Sequence, residues 1–337
     1  MKKLYTLSFT FLAMAASFAQ TTEFFTGTGA LSANGWVHHS GTINDQLVIL
    51  TTPGDSGNSL SYAGLAASTG NRTTIVAGNT EDMNKALTAP ITTTAYYSAL
   101  IKVSDNVGLF DNTVAGDYFL SLGGAVGATV TTLPARVYVH LGGADGTVNF
   151  GVLNNSGGTA TPSFASADYN IGTTYFVVVK YDLTSNTASL FVNPTPGAAE
   201  PAATATNATG TSAAPASILS MVIRQGGTAT TGTGNVQIDE IRVADNWAAV
   251  TPASLGVNEY QIAGLKVYPN PVKDGNLYIT SDSNDTKSVV IFDVLGKQVA
   301  NTTVNSQAIN VSHLNAGVYM VKITEAGKTA TKKLVIE

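Results

Sequence analysis

The sequence predicts an all-β protein, a large antiparallel sandwich followed by a smaller one, and three observations lead there. Short apolar runs alternate with polar residues at period two along most of the chain. Turn-forming residues interrupt those runs at short intervals, with 33 glycines and 11 prolines among 337 residues. No segment shows a helical period with start and stop signals; Glu81 to Leu87 alone has room for a turn or two of helix. Many short strands at regular spacing favour packed sheets over an α/β arrangement.

The chain opens with Lys2 and Lys3, an apolar run from Leu4 to Phe18, and small residues at Ser17 and Ala19 before Gln20. That pattern predicts a secretory signal peptide over residues 1–19. No later stretch approaches the ~20 consecutive apolar residues of a membrane-spanning helix.

Residues 20–250 carry the larger sandwich. Its clearest strand is Ala135 to Leu141, where Ala135, Val137, Val139 and Leu141 point one way and Arg136, Tyr138 and His140 the other. Val148, Phe150 and Val152 repeat the alternation after the Gly142–Gly146 turn, so the two runs form a hairpin. Tyr97, Ala99, Ile101 and Val103 make a similar stripe. Tyr175 to Tyr181 is apolar on both parities, as expected of a central strand covered on both faces. Ala188–Val192 and Ile218–Ile223 add further strands. Ala198–Ser217, almost wholly Ala, Thr, Pro, Gly and Asn, is predicted to be a mobile loop. Residues 251–264 are predicted to be a linker.

Composition removes several classes of function. A net charge of −5 offers no basic field for nucleic acid or anionic lipid. With no cysteine there is no disulfide, no thiol catalysis and no thiolate metal site, so the core must hold by itself. Catalytic and phosphate-binding signatures such as Gly-x-Ser-x-Gly, His-Glu-x-x-His and the phosphate loop do not occur.

The acids give no catalytic pair. Asp239 and Glu240 are adjacent, so in a regular strand they face opposite ways, whereas a glycosidase needs two carboxylates on one side of its substrate cleft. Alternation changes phase there: Val236 and Ile238 share one parity, Ile241 and Val243 the other, which a local bulge would reconcile. His38 and His39 lack a third ligand at recognisable spacing. Solvated loop acids and no cofactor are the expectation; Asp105 and Asp111, in an oxygen-rich loop, are the candidate ligands should a calcium ion bind. Trp36, Arg136, Tyr138 and His140 are the candidate ligand-binding residues, because aromatics beside polar side chains suit a sugar. The alternative for Trp36 and Trp247 is that they close the ends of the core.

Residues 265–337 supply β-branched and aromatic runs at Leu277–Ile279, Ser288–Val294, Val318–Thr324 and Thr331–Ile336. Hairpin turns are expected at Leu295-Gly296-Lys297 and Glu325-Ala326-Gly327-Lys328, and a small Ig-like sandwich of about seven strands follows. Pro269 and Pro271 hold Asn270 extended and withhold ladder donors, which predicts a stiff edge or entry strand.

Tyr268-Pro269-Asn270-Pro271, the Val289–Lys297 run with Gly296, Gly317-Val318-Tyr319-Met320-Val321-Lys322 and the closing Lys332-Lys333-Leu334-Val335-Ile336 closely resemble the type A C-terminal sorting domain of the type IX secretion system of Bacteroidetes. The resemblance implies export across both membranes to the cell surface or medium. The implied partners are the secretion machinery and its cell-surface peptidase. In the body, Asn34-Gly35-Trp36, Gly116–Leu120, Thr174–Tyr181, Val192-Asn193-Pro194 and Ile238–Val243 with Trp247 look like laminin-G-like, concanavalin-type jelly-roll modules. Such modules often bind glycans or act in adhesion, and some relatives are glycosidases; here Gln237–Arg242 lacks both glutamates of the Glu-x-Asp-x-x-Glu spacing of related enzymes. The expectation is an exported, non-enzymatic sandwich protein that binds a glycan or surface ligand. A polysaccharide hydrolase on the same fold and a purely structural adhesin are the alternatives.

Overall fold

A computed structural model of the chain describes residues 21–51, 58–254, 262–283, 285–305 and 307–337. The predicted signal peptide and residues 255–261 of the predicted linker lie outside the described residues. The chain divides into two compact units, one ending at Ser254 and one following it.

In the first unit, two antiparallel sheets enclose one apolar core. The nine-stranded sheet runs Ala205–Asn207, Thr187–Val192, Tyr175–Asp182, Thr94–Val103, Val236–Ala244, Arg72–Ile75, Val48–Leu50 and Gly29–Ala30, with Thr21–Glu23 also pairing on Val236–Ala244. The eight-stranded sheet runs Ser163–Phe164, Thr147–Leu153, Arg136–Leu141, Asp117–Gly123, Ile218–Arg224, Asp82–Ile91 and Val37–Ser40, with Tyr169–Asn170 also on Thr147–Leu153. This is the jelly-roll class of sandwich.

Alternation decides which residues meet in the middle. Tyr97, Ala99, Ile101 and Val103 face Val137, Val139, Phe150 and Val152 across the core. The Tyr175–Asp182 strand is covered on both sides: Val177 and Val179 join the central core, while Phe176 and Val178 pack outside with Leu100, Phe191 and Trp247. That outer cluster includes a single-turn helix, Trp247–Val250, capped by the Asn246 side chain accepting from the Ala249 amide at 3.0 Å.

The bulge inferred from the phase change is present. The ladder between Val236–Ala244 and Thr94–Val103 shifts register between Asp239 and Arg242, and Glu240 takes φ +51°. Two expectations are corrected. Residues 81–87 form no helix: Asp82–Ile91 is a ten-residue strand held between Ile218–Arg224 and Val37–Ser40. Residues 198–217 are not a featureless loop, since Ala205–Asn207 pairs with Thr187–Val192 and buried Asn207 donates to Thr161 O at 2.7 Å and Ser163 Oγ at 3.0 Å.

The second unit is a sandwich of a three-stranded sheet (Lys266–Tyr268, Asn276–Thr280, Ile309–Asn310) and a four-stranded one (Gln298–Val304, Lys287–Phe292, Gly317–Glu325, Lys328–Ile336). Leu277 and Ile279 pack with Val289, Ile291, Val321, Ile323 and Leu334. Both predicted turns form, with Gly296 at φ +82° and Ala326-Gly327 at +47° and +79°, the pair of positive φ values a two-residue type I′ hairpin requires. The edge strand predicted through the prolines stops at Tyr268. Beyond it the Asn270 side chain donates to Lys333 O and accepts from Val335 N, both at 2.9 Å, and backbone pairing resumes at Val272, bridged to Ile336.

Candidate functional site

Because Val137 and Val139 are committed to the core, Arg136, Tyr138 and His140 lie on the outer face of the eight-stranded sheet, Arg136 half-buried and Tyr138 and His140 buried beneath the groups that cover that face. The structure brings these three sequence-predicted residues together with others on the same face. Tyr118 lies directly opposite Tyr138 on the neighbouring strand, with ring centroids 5.6 Å apart. The guanidinium of Arg136 stands 4.7 Å from the Tyr118 ring centre and that of Arg224 stands 4.3 Å from it, so one ring contacts both cations.

The two arginines are held differently. Arg224 Nη1 donates to Asp117 Oδ1 at 2.6 Å and to Tyr118 O at 3.1 Å, while its Nε lies 4.0 Å from Asp82 Oδ2. Arg136 donates through Nε to Leu133 O at 2.7 Å, and among the described residues it forms no ion pair. Burial pushes Asp82 up to about 6, with the Arg224 charge opposing it. Burial likewise raises the phenols of Tyr118 and Tyr138 above the ordinary tyrosine value despite the nearby arginines, so both remain neutral hydrogen-bond donors.

At the other end of the strand, His140 Nδ1 lies 2.6 Å from Leu141 O. A carbonyl only accepts, so Nδ1 carries the proton, and in the neutral ring Nε2 keeps its lone pair. Phe164 packs against this imidazole with ring centroids 4.0 Å apart and the planes tilted by 46°. Asn149, opposite His140 in register, donates through Nδ2 to Ala165 O at 3.1 Å and Asp168 Oδ1 at 3.0 Å. It is 9 % exposed, and its Oδ1 has no partner.

Residues 124–133 cover the adjoining part of the face. Asn84 exchanges hydrogen bonds with Gly127 (Gly127 N to Oδ1 3.0 Å, Nδ2 to Gly127 O 2.9 Å), Ser220 Oγ donates to Ala125 O at 2.7 Å, and Val130 and Leu133 pack on Val222. Arg136, Tyr118 and Arg224 are left half-buried beside this cover.

Other candidates lie elsewhere. Trp36 is 2 % exposed, stacks on Phe25 in the core and donates Nε1 to Glu23 at 2.9 Å, so it has no ring face to offer a ligand. Asp105 accepts from Val107 N at 2.9 Å and from Asn235 Nδ2, and Asp111 accepts from Thr113 N at 2.8 Å. Each carboxylate is engaged by such local contacts, and among the described residues no three His, Cys, Asp or Glu side chains converge as a metal site. His39 Nδ1 accepts from Asn84 Nδ2 at 3.2 Å; burial, then His38, brings it down to about 4. Asp239 accepts from Leu60 N and Glu240 N, both at 2.7 Å, and Glu240 pairs with Arg242, so neither acid is directed at an open surface.

Among the sorting-motif residues, Tyr268 stacks on Tyr278 at 5.7 Å with both rings exposed. Gly317 opens the strand opposite Ile336, and Tyr319 is buried with its hydroxyl donating to Asn315 O at 2.8 Å. Lys332 and Lys333 are exposed on the last strand.

Sequence reasoning missed Tyr118, Arg224 and Asn149 as site residues. Asn149 was within reach, because it alternates with the core residues Val148 and Phe150 and the five-residue turn sets it across from His140. Arg224 was not, since its strand is distant in sequence and becomes a neighbour only through sheet order.

Residues 266–337 match the family described as the secretion system C-terminal sorting domain. An ulvan lyase of Nonlabens ulvanivorans, NLR42, is 33 % identical over 87 residues, which is 25 % of this chain and 16 % of that protein. Similar solved structures include a sialidase (10 % identity, TM-score 0.38, 68 % of this chain and 18 % of that one) and the alginate lyase of Alteromonas sp. 272 (10 %, 0.30, 64 % and 96 %). The exoplasmic domain of VIP36, in a form bound to Ca2+ and Man3GlcNAc, gives 12 %, 0.33, 66 % and 94 %. The C-terminal unit is a type IX sorting domain, and the chain is exported by that route to the cell surface or extracellular space.

Proposed function

We propose that the first unit binds a glycan on the outer face of its eight-stranded sheet and leaves the glycan chemically unchanged. The observation that carries this reading is the gathering of Tyr118, Tyr138, Arg136, Arg224, His140 and Asn149 on one face. Aromatic rings offer a surface to sugar C–H groups, while guanidinium, imidazole and amide groups take hydroxyls. The absence of turnover is supported by the state of the available groups. Of the acids at the face, Asp117 and Asp82 are turned to Arg224 and Asp168 accepts from Asn149 Nδ2 and the Gly143 amide, and the two phenols are raised rather than lowered, which makes them poor bases. In this reading the secretion machinery exports the protein and a cell-surface peptidase removes the sorting unit. A glycan array probed with the full chain and with Tyr118→Ala tests it: binding to a defined sugar set, lost in the variant, is expected. An array without hits for the unaltered protein would end the proposal.

A second reading, cleavage of a polysaccharide, is favoured by the His140 tautomer, which leaves a ring nitrogen able to accept a proton beside Tyr138. The ulvan lyase similarity agrees in kind, over its small matched share. New chain ends appearing when the protein is incubated with a polymer it binds, and failing to appear with His140→Ala, would favour this reading.

A further inference from the structure

The arginines of the outer face have unequal freedom, and that inequality bears on the ligand. Resting on the glycan-binding reading above, we infer that the glycan is acidic and that the Arg136 guanidinium receives its carboxylate or sulfate group beside Tyr118.

The first unit contains four arginines, Arg72, Arg136, Arg224 and Arg242. Arg242 is paired with Glu240, Arg224 with Asp117, and Arg72 is directed onto Asn58 O. Arg136 is half-buried and pairs with no acid among the described residues; its contacts include the Leu133 carbonyl through Nε, the Tyr118 ring and the Tyr138 hydroxyl, all neutral groups. The Nε contact and the ring fix the plane of the fork. A guanidinium held in this way is arranged for a planar or tetrahedral oxyanion, because its donors meet two acceptor oxygens at once. Partial burial also keeps water from screening the charge as it would on an open surface.

A second observation is independent of the arginine. Asn149, buried on the same face, presents an Oδ1 with no partner, and a buried acceptor without a donor is costly unless something fills it. A sugar hydroxyl supplies that donor. Arg136 and the position opposite Asn149 lie four residues apart on one strand, about 13 Å, so the two meet successive sugars of a uronate-containing or sulfated chain, the oxyanion at Arg136 and a hydroxyl at Asn149. Asp117 and Asp82 do not cancel this preference, since both sit against Arg224, and Asp168 spends its oxygens on Asn149 Nδ2 and the Gly143 amide at the end of the strand away from Arg136.

The test uses the full chain and matched polymers. Titration calorimetry compares alginate with carboxyl-reduced alginate, and a sulfated galactan with its desulfated form, so that each pair differs only in charge. Binding of the charged member about 10-fold or more above its neutral partner is expected, and the pair that shows it identifies carboxylate or sulfate. Arg136→Gln should remove that preference, and Arg136→Lys should restore part of it. Equal binding of charged and neutral polymers overturns the acidic assignment while leaving glycan binding intact. No binding of any polymer here or on the array defeats both. Should Arg136→Gln fail to fold, the comparison of charged and reduced polymers with the unaltered protein decides by itself.

Discussion

Asp239 sits at the register shift of a central strand with both carboxylate oxygens accepting backbone amides. Burial nevertheless pushes it up from 3.8 to about 7, and burial also raises Asp82 to about 6. Folded-state values above the unfolded ones mean that the native chain holds protons the unfolded chain has released. Stability contributed in this way is fully present below about pH 4 and is lost as pH rises through each folded value, at no more than about 1.4 kcal/mol per pH unit for each group. His39, brought down to about 4, works the other way between about pH 4 and 6.5. On balance the urea midpoint of the first unit should therefore fall between about pH 4 and pH 7, and fall less in Asp239→Asn. A midpoint that climbs over that window contradicts the assignment. The phase change at Asp239-Glu240 made the bulge legible in the sequence. The burial that sets the acid's proton affinity was not legible, because Leu60 reaches it from 179 residues away.

The strand Lys287–Phe292 begins with a lysine that is 1 % exposed, in a small sandwich where nothing in the residue pattern required it. Its ammonium lies 2.7 Å from Glu325 Oε1 and donates to Asp285 O at 3.0 Å and Ser283 O at 3.3 Å. Glu325 also accepts from Ser281 Oγ at 2.8 Å. Lys287 and Glu325 are opposed in register across the sheet, so the pair clamps the end of two central strands. Removing one partner strands a buried charge and should cost about 3–5 kcal/mol, whereas replacing both by apolar residues of similar volume should be close to neutral. Chemical denaturation of the second unit in Lys287→Met, Glu325→Leu and the double variant measures this; additive losses in the double variant would show that the two residues act separately. The same scale explains the strand at Asp82–Ile91. Its local sequence allows a helical turn, but pairing on both sides overrides that preference.

For the whole molecule, the division into two compact units matches a division of labour: one carries the sheet face with its arginines and tyrosines, the other the sorting signature. Deleting residues 265–337 should leave the protein in the periplasm, as immunoblots of cell fractions would show. Undiminished appearance in the medium would refute the role of the second unit in export. The first unit, with its own core, should remain folded in the truncated protein.

Period-two alternation, turn residues and the terminal motifs settled the all-β class, the faces of the main strands and the export address, because each depends on residues close together in sequence. Arg136, Tyr138 and His140 were visible on one face for that reason. Sheet order supplied what alternation cannot encode. It set Tyr118 against Tyr138, carried Arg224 onto the same ring and turned Trp36 into the core. The Arg224 contact spans 106 residues of chain, and the order of strands within the eight-stranded sheet, which alternation does not encode, selects it.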